Sequence, residues 1–269
     1  MIINTCKELF EGNIDLEGYL NSDLINELYF KPKRVDKNII HNKLNDSTYM
    51  SKVKKTIDYY KNMNLEKVIS DKIHDFEIDI NYTLDDYKIY VIIGLNTTTI
   101  YSTKYNDEDV TVLLLESTDG IMENLDMLLA HEFTHFVRRQ VFKKDIFENS
   151  IGERFIVEGI GCNYSREIVP GKEDYIYCIV SPETTIWVKD NMDKIEKHFI
   201  EKIGTNELMR DYFYMFADMK ETGLYPRTGY VYGYLIIKDY LEKNNLKIKD
   251  IITKPWEELW GLITDEGVI

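Results

Sequence analysis

Apolar residues recur along this chain at two different periods, and the places where the period changes mark its elements. Met50, Val53, Ile57, Tyr60 and Met63 fall three to four residues apart. That spacing predicts a helix opened by Asp46 or Ser47 and running through Lys67. Ahead of it, residues 23–30 predict an amphipathic turn or two, halted near Pro32. Residues 1 to about 75 therefore read as mostly helical. Residues 73–82 then alternate and predict a first strand. The β-rich runs 87–94 and 110–115 predict two more. Residues 96–99 and 105–109 read as loops or a ragged edge strand. The helical period returns over 120–142, where Leu125, Leu128, Leu129, Phe133, Phe136, Val137 and Val141 form one broad apolar face. Residues 117–120 (Ser-Thr-Asp-Gly) offer N-cap candidates, and the Arg138-Arg139 and Lys143-Lys144 pairs suit its C-terminal end. A polar connection over 145–152 leads to a second helix over 153–168, ended by Pro170-Gly171. Helices over about 182–203, 207–219, 229–244 and 255–262 fill the last third.

This order predicts an α+β fold: a small mixed sheet packed on the 120–142 helix, with a mostly helical C-terminal lobe. It divides the chain into a helical segment, 1–72, and a domain, 73–269, unless the two form one compact unit. An exposed strand edge near a cleft would be where an extended peptide adds as a further strand.

Composition narrows the classes. With 44% apolar and 30% charged residues in 269, the chain is globular. Its net charge of −14 argues against a nucleic-acid surface and against adhesion to anionic membranes. The small basic run Lys31, Lys33, Arg34 and Lys37 reads as a solvated loop. Cys6, Cys162 and Cys178 make neither a C-x-x-C pair nor a disulfide framework. The N-terminus lacks the charge-then-apolar pattern of a secretory signal, and no apolar run reaches spanning length. A cytoplasmic protein is the expectation. The twenty tyrosines, with many Lys, Asn and Ile, look like a genome-wide bias.

Chemistry concentrates in His131-Glu132-Phe133-Thr134-His135, which holds two of the five histidines. Two histidines four apart on a helix lie one turn above each other and can reach one metal ion. The adjacent glutamate can then reach a water held by that ion. From this composition the pattern would arise by chance in roughly one such chain in a hundred, so context matters. Glu158, within Val157-Glu158-Gly159-Ile160-Gly161, could supply a carboxylate from the second helix and complete a His₂Glu set with an open fourth position. Glu153 is a rival third ligand near the start of that helix. The glycines at 159 and 161 cost helix stability, about 1 kcal/mol each. Close approach to the 120–142 helix would explain them. Tyr230 and Tyr234 share a helix face, and packed aromatics with wet hydroxyls would account for such a pair. The plain alternative for the histidines is a helix with two solvent-facing imidazoles.

Taken together, residues 87–245 resemble the gluzincin group of metallopeptidases, and most nearly a bacterial family of predicted zinc-dependent proteases. The resemblance rests on strands 88–94 and 110–116, Leu129-Ala130-His131-Glu132-Phe133-Thr134-His135, Val157-Glu158-Gly159-Ile160 and Gly229-Tyr230-Val231-Tyr232-Gly233-Tyr234. It implies a zincin-like fold and one Zn²⁺ held by His131, His135 and Glu158, with Glu132 as catalytic base and a peptide or protein substrate. It also implies a tyrosine, Tyr230 in preference to Tyr234, as oxyanion donor. The residues 120–124 (Gly-Ile-Met-Glu-Asn) match the substrate-amine box of a zinc aminopeptidase family. That box normally lies on a strand well before H-E-x-x-H, whereas here it abuts the motif helix. The twenty-two residues between His135 and Glu158 also exceed that family's usual spacing. An aminopeptidase is thus a lesser alternative. A non-hydrolytic zinc scaffold or regulator, binding a partner in the same cleft, is another, disfavoured because a scaffold needs no base.

Overall fold

Residues 99–105 form an edge strand, the second of the two readings given to the flanking stretches 96–99 and 105–109, of which 96–98 lie outside the described residues, and the reason lies in the two residues after them. Asn106 and Asp107 both adopt left-handed backbone, φ 52° and 62°. That geometry suits a tight two-residue hairpin turn, and Asn and Asp tolerate it well. The computed structural model, which describes residues 1–33, 36–94, 99–116, 121–143, 150–213 and 222–265, contains four strands among them. They are β1 (Ile2–Asn4), β2 (Ile89–Ile93), β3 (Thr99–Tyr105) and β4 (Glu108–Leu115), in the spatial order β1-β2-β4-β3. β1, β2 and β4 are parallel and β3 is the antiparallel edge. Val91 faces Leu113 and Ile93 faces Leu115 in register. Parallel strands are usually covered on both faces, and every residue from Val110 to Leu115 is buried. β1 was not expected: three residues carry no readable period, and their partner β2 lies far along the chain.

Six described helices reach ten residues: α1 (Ser47–Tyr60), α2 (Leu65–Ile80), α3 (Ile121–Phe142), α4 (Ile151–Ile168), α5 (Thr228–Asn244) and α6 (Trp256–Asp265). The helix foreseen through Lys67 is two helices, broken after Tyr60. Asp46 caps the first by accepting the amides of Thr48 and Tyr49. The strand foreseen over 73–82 is a correction: residues 73–80 belong to α2, and Asn81 and Tyr82 follow its end. Leu65, Ile69, Ile73, Phe76 and Ile80, spaced four, four, three and four, are all buried. A strand would have put Ile78 on the face of Phe76 and Ile80, yet Ile78 is 66% exposed. The helical period wins because it buries the larger set.

The described chain divides into two units, residues 1–75 with 85–129 and residues 76–84 with 130–269. In the first, Tyr19, Leu20, Ile25, Leu28, Phe30 and Val53 share a core with the sheet residues Ile92, Val112 and Leu114. The chain stays helical through Lys33, across Pro32, in the short segments Asp23–Ile25, Asn26–Phe30 and Lys31–Lys33. In the second unit, α4 is buried almost all round. From Ile151 to Ser165 only Arg154 is not fully buried. Phe155 packs against Phe199, Phe213, Tyr212 and Tyr232, with ring centroids 4.7 to 5.4 Å apart. Phe76, at the end of α2, meets Phe133 and Tyr164 edge-on.

The fold is α+β and zincin-like: a four-stranded mixed sheet, the H-E-x-x-H residues on one long helix and a mostly helical remainder. No described helix is long and apolar enough to cross a membrane. The expected N-cap residues 117–120, Arg34, Lys144, most of the 145–152 connection and the end of the expected 207–219 helix lie outside the described residues.

Candidate metal centre

α3 is a helix because its apolar residues keep the helical period. Leu125, Leu128, Leu129, Phe133, Phe136 and Val137 are all buried. The same period places His131 and His135 one turn apart, with ring centroids 4.7 Å apart and planes at 88°. Their side chains are 13% and 12% exposed, sheltered yet reachable. Donor atoms of His131, Glu132 and His135 all lie within 4.8 Å of one another.

Glu158 arrives from the middle of α4. Its Oε2 lies 3.0 Å from His131 Nε2 and 3.6 Å from His135 Nε2, and its side chain is 1% exposed. Ligands about 2.0–2.1 Å from a tetrahedral zinc ion stand roughly 3.3 Å from each other. The two observed separations straddle that value. Two imidazole nitrogens and one carboxylate oxygen are also the donor types zinc takes in open, catalytic sites. The residues present therefore fit a zinc ion.

Electrostatics agree with a polar cluster held in a dry place. Burial, the largest single influence on Glu158, favours its neutral form. The Arg154 guanidinium and the two histidines outweigh it and hold the carboxyl well below the usual carboxylate range. Burial disfavours protonation of both histidines. It prevails at His135, whose pKa is lowered. At His131 the contacts with Cys162 and Glu158 together overcome it and push the value up to about 10.

The surrounding side chains include two, Arg154 and Cys162, that the sequence does not mark as part of the site. Arg154 Nη2 lies 2.5 Å from Glu158 Oε1, and the Arg154 charge also acts on the Tyr230 phenol. Cys162 Sγ stands 3.9 Å from His131 Nδ1. Gly161 lies flat against the His131 ring: a Cβ there would come within 2.8 Å of Cε1 and Nδ1. By contrast, His135 Nδ1 is buried with no hydrogen-bond partner among the described residues. Arg154 and Cys162 sit four residues before and after Glu158, so a helical wheel drawn on α4 would have found both. Glu153, the rival ligand, lies in the first turn of α4, and its charge acts on Arg138.

The two glycines flanking this site serve different neighbours. Gly161 approaches α3, as foreseen. Gly159 does not: its missing Cβ would fall 2.3 Å from the carbonyl oxygen of Gly233, on α5. A Cβ on Gly233 would in turn meet the Phe155 carbonyl oxygen at 2.2 Å. α4 and α5 thus touch backbone to backbone.

That contact delivers Tyr230, in the first turn of α5. The Arg227 guanidinium stacks on its ring, 4.0 Å from the centroid, and Phe213 meets it edge-on. Burial, then the Glu158 charge, push the Tyr230 phenol above its ordinary range, which leaves it a hydrogen-bond donor. Tyr234, one turn on, goes elsewhere. Its hydroxyl donates to Asp174 Oδ1 at 2.7 Å, and Asp174 also pairs with Lys189 and Lys238. The structure thus brings together His131, Glu132, His135, Glu158 and Tyr230, and directs the Tyr234 hydroxyl away from them. In the 120–124 box, Gly120 lies outside the described residues, and the backbone from Ile121 on forms the first turn of α3.

No curated protein and no solved structure matches the chain. A family model does, over residues 50–260, most of its length. The chain belongs to the family described as "Predicted Zn-dependent protease (DUF2268)".

Proposed function

We propose that this member of the family is a peptidase that hydrolyses peptide bonds with one zinc ion held by His131, His135 and Glu158. The observation that carries the reading is the convergence of Glu158 Oε2 on both imidazole Nε2 atoms, with Glu132 alongside. A bound zinc ion would supply Lewis acidity, lowering the pKa of a coordinated water to about 7 and polarising a peptide carbonyl. Glu132, adjoining His131 and nearly buried, takes a proton from the attacking water and delivers it to the leaving amine. The Tyr230 hydroxyl donates to the oxygen that becomes negative in the transition state.

Metal analysis and a mixed peptide library test this. The purified protein should carry one equivalent of zinc, the His131→Ala variant none, and the zinc-loaded protein should cleave peptides in the library. Zinc bound with no peptide turned over would favour a scaffold instead. Tyr230→Phe should leave zinc content unchanged and lower kcat by roughly 10²–10³, the usual loss when one oxyanion donor is removed. Tyr234→Phe, which breaks the bond to Asp174, should cost stability and leave the chemical step alone. The reverse ranking of the two tyrosine variants in kcat would reassign the donor.

A further inference from the structure

Arg154 stands where helix energetics disfavour it. It is the fourth residue of α4, close to the positive end of the helix dipole. It also precedes its acidic partner by four residues, the weaker of the two orientations for such a pair. Its neighbours from Ile151 to Ser165 are all buried. Local structure therefore gives no reason for a cation here, and its contacts give one. The Nη2 atom takes Glu158 Oε1 at 2.5 Å while Glu158 Oε2 faces both histidines at 3.0 and 3.6 Å.

We propose that Arg154 is a positioning residue that pairs with one oxygen of Glu158, so that the ligand binds zinc through the other alone. With Oε1 held against the guanidinium and Oε2 facing both histidines, the carboxylate is kept from two-oxygen ligation, and a coordination position stays open for water and substrate. A lysine could meet Oε1 as a point charge. The geometry of the ligand is thereby set by a side chain that itself touches no reacting atom. The inference rests on the reading of this cluster as a zinc site.

Cobalt substitution tests it without relying on turnover. Co²⁺ in the wild-type protein should give the intense visible bands of a four-coordinate ion. Arg154→Met should weaken those bands several-fold as Glu158 brings in its second oxygen. Arg154→Lys, which keeps a cation at Oε1, should restore them. A merely structural arginine would lower the melting temperature in both variants and leave the bands alone. Wild-type bands in Arg154→Met would overturn the proposal. Should that variant not fold, wild-type bands in Arg154→Ala would do the same. A wild-type protein that takes up no cobalt would instead sink the zinc reading beneath it.

Discussion

Replacing Glu132 by glutamine should leave one zinc ion bound and lower kcat by roughly 10²–10⁴, the range attributed to a well-placed general base. The amide keeps the volume of the carboxylate but cannot accept a proton at neutral pH. Glu132 is not needed as a ligand, because Glu158 Oε2 is the oxygen that faces both histidine Nε2 atoms. Metal content and peptide cleavage must therefore separate in this variant: zinc measured by chelator competition stays at the wild-type level while turnover falls. Turnover within tenfold of wild type would remove Glu132 from the proposed mechanism. Loss of zinc would make it a ligand instead and reopen the assignment of Glu158.

The separation of roles also explains which parts of this molecule the sequence discloses. His131, Glu132 and His135 are legible because helical spacing alone places them, and spacing is written in the chain. Glu158 is legible at one remove: a carboxylate followed by Gly159, within an apolar run, advertises a buried helix that some other backbone approaches closely. Which backbone it meets is a tertiary fact, and the helix 229–244 supplies it where α3 was expected. The contested region at 73–82 fits two periods over a few residues. Only the exposure of Ile78 beside buried Phe76 and Ile80 decides for the helix. β1 escapes notice because strand pairing across some eighty-five positions leaves no local mark. Tyr230 and Tyr234 share a helix face, and nothing in their spacing tells that one phenol feels the Glu158 charge while the other bonds Asp174. Arg154 and Cys162 were within reach of sequence reasoning, one turn either side of Glu158, but only a fixed ligand makes those positions worth inspecting.

Gly159 and Gly161 should fail in opposite ways when replaced by alanine, though they are two residues apart on one helix. At Gly159 the new methyl would lie 2.3 Å from the Gly233 carbonyl oxygen and 2.6 Å from its carbon. Backbone cannot move aside there without separating α4 from α5. Alanine returns about 1 kcal/mol of helix propensity, so the net loss of stability should be about 2 kcal/mol or more. In a protein of this size that lowers the melting temperature by several degrees, about 4–8 °C. At Gly161 the methyl meets a side chain instead, the His131 ring at 2.8 Å. The ring can tilt, so the metal-free protein should melt within a few degrees of wild type. The tilted imidazole no longer shares a centre with His135 and Glu158, and zinc affinity should fall about 10–100-fold, as when an outer partner of a ligand is lost. Thermal melts of the metal-free variants and chelator competition read the two effects independently. A Gly161→Ala protein that binds zinc like wild type would mean the glycine face of α4 does not set the His131 ring. A Gly159→Ala protein that melts like wild type would mean that α4 and α5 do not touch through their backbones.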